Sequence, residues 1–549
     1  MQSTGIFHVL VKSNYYRDSL NLLKISDIMK QSSSGIMEAV VIMGTKTNKA
    51  VLVKLGFPSS KINQATESDL IVAIKAEDKA SIDSALIKLE ELLHSDGSSD
   101  TSTSFSANST DLDSVLVSKS INANLALISI PGEYVKDLSL KLSNEGIHQQ
   151  IFSDHVPLDD ELIIKKYAAK KGVLVLGPGA GTSIINGKGI GFSNVLRPGP
   201  VGIIAAAGTG LQEVSSLLDQ CDIGVKYGLG VGANDPKEKI GGLMMLESLK
   251  VLEELPDIEI MAIVSKPPSL RVKNMIIDYI VKHGKKKYVL AFIGAGHDGS
   301  LPNSISSKIV QVNTLASAVF AVASLTSNQQ YKLSLVRLHM KPEILQNAVA
   351  KEWRRLGEQQ KYIRALYTGG TFAYETQVIL NGVLKDLYSN APTGGTKKLP
   401  SASKSKKHSI LDLGEEEFTQ GRPHPMIDPT IRRLRLVEES QDPEVGVIFM
   451  DFVLGYGSNP DPVGAVLNEI AQVKATARKS NRYLSIVTHV CGTKRDPQGY
   501  DESIRKLENA GALVFPTNAL AAIASAQIIS RGKLDLDRIY SRCFVERMS

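Results

Sequence analysis

Nine short apolar runs, most of them separated by enough chain for a crossover helix, constrain this sequence more than any other feature. They are LALISI (125–130), VLVLG (173–177), VGIIAA (201–206), IMAIVS (260–265), YVLAFIG (288–294), IRALYTG (363–369), VGVIFMDFV (445–453), LSIVTHV (484–490) and ALVFP (512–516). Strands that are apolar on both faces are buried on both faces, and such strands joined through helices form parallel sheets. The expected class is therefore α/β. Before Ser95, FHVLVK, AVVIMG and LIVAIKA separate two helical stretches, which gives a small α/β domain of its own over 1–94.

Two segments interrupt this pattern. Residues 95–112 open with SDGSSDTSTSFSANSTD, too poor in apolar residues to order themselves, and are expected to be a disordered linker. Residues 389–408 (SNAPTGGTKKLPSASKSKKH) carry five lysines among Gly, Pro and Ser and are expected to be a flexible, solvated loop. The 549 residues hold 63 basic and 57 acidic side chains, so the net charge of +6 demands no nucleic acid. Cys221, Cys491 and Cys543 are dispersed, which fits a reducing compartment and gives no metal-ligand spacing. The N-terminus has no basic stretch followed by an apolar core, and Leu315 to Leu325 is too short to span a bilayer. A cytoplasmic protein with no bound metal and no membrane partner is expected.

Two strand-to-helix turns rhyme. AGTGLQE (207–213) follows VGIIAA, and TGGTFAYE (368–375) follows IRALY; both read Gly-Thr-x-x-x-Glu, Gly208 and Gly370 lying 162 residues apart. Later elements correspond in order, IMAIVS with VIFMDFV and YVLAFIG with LSIVTHV, so two copies of one α/β unit are inferred. Glycine admits a ligand close to the backbone, and free amides at a helix start favour an anion. Gly208, Thr209, Gly210, Gly369, Gly370 and Thr371 are thus candidate phosphate-binding positions. Glu213 and Glu375, one turn further, are candidates for holding a cationic or protonated partner such as Arg422, His297 or His424. The same turn also reads as a plain helix start, with Thr209 and Gln212 as a capping box.

GPGAGTSI (177–184) is a further glycine-rich turn after a strand, with Lys188 and Arg197 nearby; it has neither the full dinucleotide fingerprint nor a P-loop ending. In GRPHPMIDPT (421–430), Arg422 is suited to bidentate binding of a carboxylate or phosphate and His424 to acid catalysis; a rigid polar loop is the alternative.

Residues 173–269, with GPGAGT, AGTGLQE and GLGVGANDP in that order, resemble the α subunit of NDP-forming succinyl-CoA synthetase. TGGTFAYE through ALVFP resembles the ligase-CoA domain that ends its β subunit. The fusion of both, with MGTKTNKAVL (43–52), VSKPPS (264–269), LYTGGTFAYE (366–375) and GRPHPMIDPT, is similar to the FdrA type of acyl-CoA-synthetase-like protein. The resemblance implies a truncated Rossmann-like, CoA-binding-type domain at 113–200 and two pseudo-symmetric flavodoxin-like ligase-CoA domains at 201–335 and 336–549. It implies CoA near Gly177, Gly179 and Gly181, though the first half of the CoA-binding unit is missing, and it makes His297, in AGHDGS, the phosphohistidine candidate. No ATP-grasp segment or P-loop is present, so the chain alone is not expected to be a complete ATP-dependent ligase. The implied role is a subunit of a heteromeric oxalurate (oxamate) carbamoyltransferase of allantoin breakdown, forming carbamoyl phosphate from phosphate and a small ureido carboxylate. In that reading His297, Glu213, Glu375, Arg422 and His424 are the catalytic candidates. The alternatives are an acyl-CoA ligase component that borrows an ATP-grasp subunit, and a non-catalytic scaffold.

Overall fold

A computed structural model describes residues 5–15, 17–94, 123–295, 308–326, 335 and 338–544. The chain divides into two compact units, 1–122 with 413–434, and 123–412 with 435–549.

In the first unit, β1 (Ile6–Lys12), β2 (Ile36–Met43) and β3 (Leu70–Ala76) form an antiparallel sheet in the order β1-β3-β2. Alternation on the central strand decides its packing. Leu70, Val72 and Ile74 join Leu22, Met29 and Leu89 from the helices Ser19–Gln31 and Lys79–His94. Ile71 and Ala73 join Leu52 and Ile62 from Lys46–Lys54 and Ser59–Gln64. Both faces are covered, so β3 is buried except at Lys75. Residues 413–434 were expected to belong with the last domain but group with this unit instead. The physical reason is polar anchoring: the Asn48 side-chain amide donates to Gly421 O (2.9 Å) and Thr45 Oγ1 to Gln420 O (3.4 Å).

The second unit opens with a parallel sheet of β4 (Leu125–Ile128), β5 (His148–Ile151) and β6 (Val175–Leu176). This is the expected Rossmann-like fragment, but it ends earlier than residue 200. The hairpin β7 (Thr182–Ile185) and β8 (Lys188–Gly191) hydrogen-bonds onto the next sheet, with Ile184 opposite Gly228.

That next sheet contains β9 (Val201–Ala205), β10 (Val225–Gly230), β11 (Ile260–Ser265), β12 (Lys287–Phe292) and β13 (Ile309–Val312), in the order β13-β12-β11-β9-β10-β7-β8. The last sheet contains β14 (Tyr362–Tyr367), β15 (Leu387–Ser389), β16 (Lys397–Lys398), β17 (His408–Asp412), β18 (Val445–Val453), β19 (Ser485–Cys491) and β20 (Leu513–Phe515). Its order is β16-β15-β17-β14-β18-β19-β20. Each sheet carries five parallel strands in the flavodoxin-like order 2-1-3-4-5, with an extra strand pair beyond the second strand. The duplication inferred from the two turns is present in the topology, and the strand correspondences are those read from the sequence. The expected flexible loop at 389–408 instead carries β16, paired with β15, and Lys397 and Lys407 both reach Asp386 (2.8 and 2.7 Å).

Candidate active site

In a flavodoxin-like sheet the ligand crevice lies at the carboxyl ends of strands 1 and 3. Both Gly-Thr turns sit there, after β9 and after β14. The helix Gly208–Gln220 starts behind Ala207 and the helix Gly370–Leu380 behind Gly369, neither with a side-chain cap. Thr209 therefore lies inside its helix, and the expected Thr209–Gln212 capping box does not form; the Gln212 amide donates to Asn194 Oδ1 at 3.3 Å instead. The two turns touch. The Thr371 amide donates to Thr209 Oγ1 at 3.3 Å, and a Cβ on Gly369 would stand 2.9 Å from Thr209 Cγ2. Asp451 of β18 accepts from the Thr368 and Gly369 amides, both at 2.8 Å. The amides of Gly208, Thr209, Gly210 and Gly370 meet no acceptor among the described residues. An anion approaching this junction finds those four donors and two helix N-termini.

The glutamates do not hold Arg422 or His424. Each reaches across to the helix that follows the fifth strand of the other repeat. Glu375 Oε1 accepts the Leu315 amide (2.7 Å) at the start of Leu315–Leu325. Glu213 Oε1 accepts the Asn518 amide (3.5 Å) at the start of Asn518–Ile529. The exchange is reciprocal, as a pseudo-two-fold requires. The second oxygens break the symmetry: Glu213 Oε2 meets His489 Nε2 (2.9 Å), whereas Glu375 Oε2 accepts from the Asn518 side chain (2.8 Å). Burial pushes the Glu375 carboxyl up to about 7, against the two hydrogen bonds that lower it. Burial alone would lower His489, but the Glu213 charge and hydrogen bond, with the Phe515 carbonyl, hold it above the ordinary histidine value.

Sequence reasoning missed His489, Asp451 and Asn518. An ionisable residue inside an apolar strand was the available signal for the first two, in LSIVTHV and VIFMDFV. His297 lies outside the described residues. Arg422 and His424 fall in the other compact unit. There Arg422 is buried and paired with Asp428 at 2.7 Å, and His424 Nδ1 accepts the Met426 amide within its own turn. Arg197 is engaged by Asp219 at 3.3 Å, and Lys188 is exposed on β8.

The CoA-ligase family model matches residues 366–528, and that of the AllF heavy metal-associated domain matches residues 2–109. YahF of Escherichia coli is 36% identical over 96% of this chain and 99% of its own length. The succinate–CoA ligase α subunit of Methanothermobacter thermautotrophicus is 28% identical over 24% of this chain and 45% of its own length. The ATP citrate lyase structure from Methanothrix soehngenii covers 78% of this chain and 85% of that one at 14% identity and a TM-score of 0.31.

The residues present do not fit a heavy metal: 2–109 contain no cysteine, and the described residues contain no cluster of three metal-ligating side chains. Nor do Gly177 and Gly179 form a cradle for CoA. A Cβ on Gly177 would stand 2.4 Å from Ile151 O and one on Gly179 2.8 Å from an Asp154 carboxylate oxygen, so the protein itself fills their bare faces. A Cβ on Gly181 would stand 3.3 Å from the Phe192 ring. No described helix is long and apolar enough to cross a membrane. The near-complete match to YahF, the CoA-ligase match and the succinate–CoA ligase likeness agree with the duplicated fold: the chain belongs to the FdrA-type proteins of the NDP-forming succinyl-CoA synthetase (ligase-CoA) superfamily.

Proposed function

We propose that this chain is a subunit of a phosphate-dependent carbamoyltransferase, with oxalurate as carbamoyl donor and oxamate as leaving group. The observation that carries the reading is the junction of the two Gly-Thr helix starts, where four backbone amides meet no acceptor among the described residues. In the reaction a phosphate oxygen attacks the ureido carbonyl and forms the C–O bond of carbamoyl phosphate. The C–N bond then breaks, and a proton goes to the leaving amide nitrogen. Fixed amides at the junction would hold the phosphate charge and the developing oxyanion without reorganising. The AllF match over the N-terminal domain favours this allantoin-related chemistry. The buried glutamates serve position: they fix the two helices rather than touch the ligand.

The test removes one donor. Gly208 is the first residue of its helix, Ala207 before it is extended (φ −157°, ψ 106°), and a Cβ there meets only Thr182 Oγ1 at 3.7 Å. Proline is well suited to that position and lacks an N–H. G208P should fold normally and raise the Kd for inorganic phosphate, and the assembled complex should lose phosphate-dependent release of carbamoyl phosphate from oxalurate. No carbamoyl phosphate from the wild-type complex would refute the reading.

A second reading has one observation of its own. β12 delivers the chain to Gly294, whose Cβ would stand 2.7 Å from Val378 on the Gly370 helix, only three residues before His297. Acid-labile phosphate on His297 after incubation with ATP and an ATP-grasp partner would favour an acyl-CoA ligase component.

A further inference from the structure

The two repeats place equivalent residues in equivalent registers. Gly370 corresponds to Gly208, hence Leu366 to Ile204. Leu366 pairs with Met450 and Ile204 with Ile263; Met450 pairs with Thr488 and Ile263 with Leu290. His489 therefore corresponds to Ala291. The duplicated scaffold folds with a fully buried alanine at this point in one copy, so the fold itself does not call for an imidazole.

The ring at 489 touches both ligand turns' helices. Nε2 meets Glu213 of the Gly208 helix at 2.9 Å, and the ring packs edge-on against Phe372 of the Gly370 helix at 5.7 Å between centroids. Nδ1 lies 3.1 Å from Phe515 O on β20. A carbonyl only accepts, so Nδ1 carries a hydrogen. When the ring is doubly protonated, Nε2 also donates, and the imidazolium neutralises Glu213.

We propose that His489 is the positioning residue of the paired turns, fixing the two helix starts relative to each other and cancelling the Glu213 charge behind the phosphate site. The proposal rests on the phosphate reading for its second half only. The titratable groups that interact with the ring are Glu213 and Glu375 from the two helices and Asp451 from β18. His489 is the cation among them, and its loss of a proton leaves carboxylates alone behind the helix starts. The geometry thus couples phosphate affinity to the protonation of this ring: affinity is full while the ring is charged and falls as pH rises through its titration.

The test compares the full-length wild type with H489Q and H489A. Glutamine keeps one donor toward Glu213 but cannot become a cation. Amide exchange at Thr371 and Leu315 should accelerate at least tenfold in H489A, with H489Q partly restoring protection. Inorganic phosphate titrations in an E375Q background, which removes the neighbouring carboxyl that ionises near pH 7, should show a Kd raised about fivefold to tenfold by H489Q, with the rise in Kd at increasing pH flattened. Wild-type exchange rates in both variants would overturn the positioning role, whatever phosphate does. Unchanged phosphate Kd and pH profile on adding H489Q to the E375Q background would overturn the charge role. If the wild type binds no phosphate, the phosphate reading and the charge role fail together, and the exchange rates still decide whether His489 positions the turns.

Discussion

Glu375 is a fully buried carboxyl whose two oxygens accept the Leu315 amide and the Asn518 side-chain amide. Its folded value of about 7 lies above the 4.5 of an ordinary glutamate. The folded state therefore holds this proton more tightly than the unfolded state does, and stability declines as pH rises from about 4.5 to 7. The cost at the upper end is on the order of 3 kcal/mol. E375Q cannot ionise, so its urea-unfolding stability relative to wild type should shift in its favour by roughly that amount from pH 4.5 to pH 8. The turn glycines separate in a parallel way. A Cβ at Gly208 meets only an ordinary contact, whereas at Gly369 it stands 2.7 Å from the Phe372 ring and at Gly370 2.6 Å from an Asp412 carboxylate oxygen. G208A should leave the thermal midpoint nearly unchanged, and G369A should destabilise by about 1–3 kcal/mol through overpacking. These residue-level contacts were only half legible in the sequence. The glycines and glutamates announce themselves by repetition, but their partners His489 and Asn518 come from strand and helix ends more than 100 residues away, and no periodicity marks such contacts.

Among the elements, the apolar runs were legible because strands buried on both faces leave no polar alternation to misread. The hairpin β7–β8 was less so. It is attached by the antiparallel bridge of Ile184 and Gly228, a long-range pairing that leaves the boundary before VGIIAA looking like a domain edge. The lysine-rich segment misled for a related reason: composition reads lysines as solvated, and the single acceptor Asp386, which gathers Lys397 and Lys407, sits outside the run. One element junction gives a sharp test. Lys165, on the helix Leu158–Lys171, is fully buried and donates to Glu161 (2.8 Å), Asp235 (2.9 Å) and Val231 O (2.9 Å). It thereby ties the Rossmann-like fragment to the loop that follows β10. K165M would leave two buried carboxylates facing each other without a cation, which costs about 3–5 kcal/mol. The expected outcome is a fall of that size in urea-unfolding stability.

Over the whole molecule, the chain closes one compact unit from its two distant parts, and the FdrA signatures MGTKTNKAVL and GRPHPMIDPT are brought together inside it. Thr45 caps the helix Lys46–Lys54 by accepting the Asn48 amide, and its hydroxyl turns to Gln420 O. Asn48 is fully buried, and its amide spans Met43 O (2.8 Å) and Gly421 O (2.9 Å), so one side chain joins the end of β2 to the returning segment. Gly421 is left-handed (φ +68°), and a Cβ there would stand 2.6 Å from Thr45 Cγ2, so the segment can dock this closely only as glycine. Removing the Asn48 amide leaves two buried carbonyls unsatisfied, at about 1–3 kcal/mol each. N48A should therefore loosen residues 413–434 while leaving the cores of β1–β3 and of the duplicated sheets intact. In limited proteolysis of the full-length protein, cleavage within 413–434 should accelerate roughly tenfold or more, while the strands of the two duplicated sheets, on either side of that segment, should keep wild-type protection. N48D, whose carboxylate would face two carbonyl oxygens, should behave no better than N48A. If both variants are cut at the wild-type rate, the Asn48 bridge is not what holds the segment, and the docking rests on the apolar contacts of Phe418 and Met426, which are buried in the same stretch.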